Sequence, residues 1–225
     1  MSRDQDAGAA LAVQPGRHWP SVGSGALLEL FWIPLGAGEK SGLVHASGRA
    51  FEAVSARLQR RARCDLFHSA LVARHDGQTF AIEQAPAWGA GPGDRGVVAT
   101  GPVGLRWLGR SALFRYEVRR WAGGVIPDAA SAVGGPQRLP TDAERVGRLL
   151  ALVPSVPAMT WGRDELGTGD MWNSNSLVSW LLASSGHCLD GVRPPDRGRA
   201  PGWLAGLVVA QRSPSAGAAR LRRRG

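Results

Sequence analysis

The apolar positions of this chain fall into short runs separated by glycine- and proline-rich stretches, and the runs predict both strands and helices. Leu27 to Leu35 (LLELFWIPL) is aromatic and aliphatic throughout, which suits a buried strand. Ser47 to Arg61 places Ala50, Phe51, Val54 and Leu58 on one stripe with arginines opposite, and predicts a helix. Leu66 to Arg74 and Gln78 to Gln84 read as the arms of a hairpin turning at Asp76-Gly77. Trp88 to Arg95 is a glycine-rich loop, followed by strands near Val97 to Thr100 and Leu113 to Arg119.

Pro127 to Pro140 reads as a second loop. It leads to Thr141-Asp142-Ala143-Glu144, the pattern of a capping box. The helix it opens runs through Leu149, Leu150 and Leu152 and stops before Pro154. After a turn at Gly167 to Asp170, a second helix is expected from Asn173 to Ser185, closed by Gly186. Arg193 to Gly202 is rich in proline, glycine and arginine, and Trp203 to Ala210 is expected as a last strand. Strands and helices do not alternate regularly, so the expected class is α+β, an antiparallel sheet with helices packed on it. Residues 1–24 read as a flexible lead-in, 25–212 as one domain, and 213–225 as a disordered basic tail.

Composition narrows this picture. A chain of 225 residues, 44% hydrophobic, can bury a real core. The apolar run from Leu204 to Ala210 is too short to span a bilayer, so no membrane insertion is expected. The opening Met1 to Asp6 lacks the pattern of a secretory signal, which points to the cytoplasm. The net charge of +9 is carried by arginine, with Lys40 the only lysine. Its densest cluster, Arg220 and Arg222 to Arg224, lies in the tail without interleaved aromatics, so no specific nucleic-acid partner is expected. Cys64 and Cys188 cannot make a disulfide framework. Cys64 and His68 have no matching ligand pair elsewhere, so neither a metal nor another cofactor is expected.

The hairpin carries the first candidate chemistry. A two-residue turn pairs His75 with Gln78, sets Ala70 opposite Glu83, and makes Glu83 the diagonal neighbour of His68. Glu83 would then orient the imidazole and stabilise its charged form. A bulged turn would shift the register by one and bring Gln84 to His68 instead. The second candidate is Ser174, in the first turn of a helix whose buried stripe is Leu177, Val178, Leu181 and Leu182. Unpaired N–H groups and the positive dipole end gather there, where a developing oxyanion can be stabilised.

The segments Leu66-Phe67-His68-Ser69-Ala70-Leu71 and Trp172-Asn173-Ser174-Asn175-Ser176-Leu177 resemble the two signature blocks of circularly permuted NlpC-type papain-like proteins. That group is similar to the lecithin:retinol acyltransferase-like proteins. The resemblance covers about Leu27 to Ser185 and implies a strand histidine, His68, a polar residue orienting it, Glu83, and a nucleophile at a helix start, Ser174. Trp172, Asn173, Asn175 and Gln84 would bind substrate, with backbone N–H groups as the oxyanion hole. The family nucleophile is cysteine, whereas this chain has serine. A serine hydroxyl is too weak an acid for a helix dipole alone and would need His68 to take its proton.

The resemblance implies a hydrolase or acyltransferase acting on an amide, ester or thioester of a small molecule or peptide through an acyl-enzyme. The alternative is an inactive relative whose pocket binds a peptide or acyl ligand. Ser174 would then be a helix cap, His68 a hydrogen-bonded core residue and Glu83 a rim carboxylate. A third reading makes the arginine tail a binder of nucleic acid or anionic membrane. The oligomeric state is not encoded legibly.

Overall fold

The computed structural model describes residues 25–37, 62–87, 96–195 and 197–212, with a few positions between 52 and 60. Strands β1 (Leu27–Pro34), β2 (Phe67–His75), β3 (Gln78–Pro86), β4 (Val97–Pro102), β5 (Arg115–Ala122) and β6 (Gln137–Arg138) form one antiparallel sheet in the order β4-β5-β3-β2-β1-β6. The class is α+β, as the pattern predicts. The β2–β3 turn is the two-residue kind: Asp76 and Gly77 have φ of 48° and 74°, and His75 faces Gln78. Strand β6 comes from the segment expected as a loop. It pairs only Gln137 and Arg138 with β1, too little to leave an alternating signature.

Alternation along the strands divides the sheet into two faces. Leu28, Leu30, Trp32, Phe67, Leu71, Ile82 and Val118 point to one, which the helices cover. Phe31, Ile33, Ala70, Val72 and Ala81 point to the other and pack with Ile126. The covering helices are α1 (Ala143–Leu152), α2 (Ser174–Ser184) and α3 (Trp203–Arg212). Each leucine buried there, such as Leu149 or Leu181, stabilises the fold by roughly 1.5–3 kcal/mol.

Two expectations are corrected. The cap of α1 is Asp142, whose carboxylate accepts from Arg145 N at 2.8 Å. Thr141 is turned instead to His187 Nε2, also at 2.8 Å. The second correction is α3, because Trp203 to Ala210 is helical rather than a strand. Its apolar run fits either state by composition. Packing decides it: Gly206 sits so close to Ser176 O and Ser179 Oγ of α2 that a methyl group there would overlap both. The expected helix over Ser47–Arg61 lies largely outside the described residues, and the lead-in 1–24, the loop from Trp88 to Arg95 and the tail 213–225 lie wholly outside them. No helix among the described residues is long and apolar enough to cross a membrane.

Candidate functional site

The start of α2 is held by its own side chains. Asn173 caps it, its Oδ1 accepting from Asn175 N at 2.9 Å and Ser176 N at 3.3 Å, while Asn173 N donates to Ser176 Oγ at 3.0 Å. This reciprocal box forms because asparagine and serine stand three residues apart. Leu177 N donates to Asn173 O. Of the N–H groups in this first turn, that of Ser174 alone has no partner among the described residues. Asn173 Nδ2 and Asn175 Nδ2 both donate to Pro201 O, at 2.7 and 2.8 Å, and Ser176 Oγ donates to Gly202 O at 2.7 Å. Asp170 completes the lattice by accepting from Met171 N and Gly202 N, and burial raises its carboxyl above the usual range. Trp172 is buried, its backbone N–H bonded to Arg163 O.

His68 is on the other side of the sheet. It faces Ile33 across β1, and cross-strand partners share a face, so its ring projects among Phe31, Ile33 and Ala70, away from α2. Its Nε2 lies 2.9 Å from Asp128 Oδ2. Ser174 belongs to the helix over the first face and has no hydrogen bond to His68. The β2–β3 ladder runs from His75↔Gln78 only as far as Leu71↔Ile82, so the expected Ala70–Glu83 and His68–Ala85 pairings do not form. Beyond that point β3 continues on β5 alone, and Glu83 faces Arg119.

The orienting role expected of Glu83 is therefore corrected. Its Oε1 accepts from Arg119 Nη1 at 2.8 Å, and Arg119 also donates to Glu117 Oε2 from Nη2 at 2.9 Å and from Nε at 3.0 Å. Gln84, the register alternative, faces Val118 on the helix side and does not share a face with His68. Asp128, the actual partner of His68, stands 60 residues away in a loop. No local pattern could have found it. Arg119, by contrast, was legible once β5 was set beside β3, because Glu83 and Glu117 are two largely enclosed carboxylates on one face and call for a cation between them.

On the helix side the sheet opens where β2 and β3 part. Asn175 Nδ2 reaches Phe67 O there at 2.9 Å. Ser69 Oγ, both amide atoms of Gln84 and Asn175 Oδ1 are buried without a partner among the described residues. Buried polar atoms of this kind are ordinarily met by ordered water. Alongside runs an open groove of about 630 Å³, lined by Trp32, Val133, Pro136, Gln137, Arg193 and Arg197 among others. Trp32 faces Ser69 across β1 and β2, packs against Trp203 at a 45° tilt with ring centroids 5.1 Å apart, and donates its indole N–H to Gln137 Oε1 at 3.1 Å. That bond fixes the amide orientation and leaves the Gln137 NH₂ as a donor.

Among the described residues no group of three or more histidine, cysteine or acidic side chains is placed to hold a metal ion. Comparison of the chain with protein-family models, with characterised proteins and with solved structures finds no match.

Proposed function

We propose that this chain is a non-catalytic binding protein of the papain-like kind, and that its groove takes an acyl or peptide ligand bearing a carboxylate. One observation carries the first half: the serine expected to attack and the imidazole expected to take its proton project from opposite sides of the sheet. General-base catalysis needs those atoms within about 2.6–3.2 Å or one water apart. Two of the donors that would stabilise an oxyanion are also occupied, since Asn173 Oδ1 accepts from Asn175 N and Ser176 N, which leaves only the N–H of Ser174.

The groove supports the second half. Trp32, Val133 and three prolines, Pro136, Pro194 and Pro195, give it apolar walls. Arg193, Arg197 and the free NH₂ of Gln137 offer only donors. Asp196, between the two arginines in sequence, lies outside the described residues. Its volume of about 630 Å³ lies within the range of roughly 300–1,000 Å³ typical of small-molecule sites.

Two measurements on the full chain test this. Incubation with a fluorophosphonate followed by intact-mass analysis should leave Ser174 unlabelled. Titration with dodecanoate should give binding that Ser174→Ala retains and that Arg193→Gln with Arg197→Gln weakens by about tenfold or more. Labelling of Ser174 that His68→Ala abolishes would restore the acyl-enzyme reading. Dodecanoate binding indifferent to both arginines would remove the groove from it.

A further inference from the structure

The connection from β4 to β5 is built of two short 3₁₀ turns, Arg106–Arg110 and Ala112–Phe114. It exposes apolar side chains on a scale found nowhere else in the described chain. Trp107 is 69% exposed, Leu113 63%, Phe114 42% and Leu105 40%. These four are half of all the exposed large hydrophobic residues described, gathered within ten positions.

Looseness does not explain the exposure. Val103 N donates to Phe114 O at 2.8 Å, closing the base of the connection, and Gly104 N donates to Trp161 O at 3.0 Å. Arg163 Nε holds Gly104 O at 2.7 Å from the neighbouring segment, and Arg115 Nε holds Gly109 O at 3.3 Å. Gly109 lies flat on Pro102, where a methyl group would overlap the proline ring. The fold therefore fixes a rigid knuckle and points its large apolar side chains at solvent.

The charges around the knuckle choose its occupant. From Val103 to Arg115 there is no acidic residue, whereas Arg106, Arg110 and Arg115 are interleaved with Trp107, Leu113 and Phe114. From outside this stretch, Glu165 meets Arg106 Nε at 3.4 Å. A second copy placed symmetrically on this face would set arginines against arginines. A lipid surface with anionic headgroups satisfies both halves at once, because leucine, phenylalanine and tryptophan enter the acyl boundary while guanidinium groups stay among the phosphates. We propose that the Leu105–Phe114 knuckle seats this protein on an anionic lipid surface. Such a seat needs no spanning segment and is independent of what the groove binds.

The test is co-sedimentation of the full chain with vesicles of phosphatidylglycerol and phosphatidylcholine in roughly equal parts, and with phosphatidylcholine alone. Binding should appear on the anionic vesicles and weaken with added salt. Trp107→Ala with Leu113→Ala should lower partitioning by about tenfold or more. Arg106→Gln and Arg110→Gln should each lower it by roughly fivefold. Trp107→Phe should keep partitioning but remove the extra quenching of tryptophan emission by brominated lipid. All four residues are exposed, and a matched thermal melt confirms that each variant is folded.

Three results would overturn the proposal. One is no binding to the anionic vesicles. Another is binding that survives Trp107→Ala with Leu113→Ala and disappears when residues 213–225 are deleted, which assigns it to the terminal arginines. The third is self-association of the free chain that the same double variant abolishes without any vesicle binding.

Discussion

The two faces of the sheet handle buried polarity in opposite ways. On the face bearing His68, every polar group central to the argument has its complement: Asp128 for His68, and Arg119 for both Glu83 and Glu117. On the helix-covered face Asn173 caps the start of α2, yet Ser69, Gln84 and Asn175 beside it keep orphaned atoms. A closed ion cluster is the signature of a structural device, since its charges have nothing left to offer a ligand. Donors and acceptors that the protein leaves over are ordinarily met by ordered water. The face that looks chemically richer in sequence is thus the quieter one.

The sharpest way to break this contrast is Arg119→Met. It leaves the partly exposed Glu83 and Glu117 without their shared cation, and denaturant unfolding should show a loss of about 3 kcal/mol. A loss within a few tenths would mean that the cluster is solvent-screened and not closed. Next comes Asn173→Ala, which removes the cap of α2 and should destabilise by about 1–2 kcal/mol in the same measurement. It also frees two N–H groups beside Ser174. Fluorophosphonate labelling that appeared only in this variant would show that the capping asparagine was blocking an oxyanion site.

Gln84→Met tests the other face. The ordered water that meets its amide is lost with it, so stability should fall by up to about 1 kcal/mol. Level or raised stability would show that nothing satisfies the amide in the folded chain.

The smallest effect is expected at His187. Its ring is bracketed by Ser185 Oγ at Nδ1 and Thr141 Oγ1 at Nε2, both at 2.8 Å. Burial, and then the positive charge of Arg145, hold its pKa below the ordinary histidine value, with Asp142 opposing. The folded state therefore binds this proton less readily than the unfolded one. Stability from this site is full above the unfolded pKa and falls as pH drops through it toward the depressed folded value. Thermal melts across that range should show a slope that His187→Gln flattens.

Much of this fold was legible. Asp76-Gly77 announced a two-residue turn, and the register His75↔Gln78 followed from it. Glu83 failed as a partner for His68 because the expectation carried the ladder past Leu71↔Ile82, where the strands in fact part. Nothing local in the sequence marks that parting, since it depends on β5 claiming the end of β3 and on Asn175 reaching Phe67 O. The run from Trp203 misled for a similar reason. Its composition suits a strand, and the argument against one is the contact of Gly206 with a helix nearly thirty residues earlier in the chain. His68–Asp128 is a pairing of the same long-range kind.

The start of α2 has a consequence for synthesis on the ribosome. Its asparagines close on the carbonyl of Pro201, and β2 donates from Phe67 N to Arg199 O. Both anchors are translated after the elements they secure. A nascent chain ending at Ser185 holds the sheet and the helix but not the residues that lock them together. Native order at this junction therefore waits until Arg199 and Pro201 have left the exit tunnel.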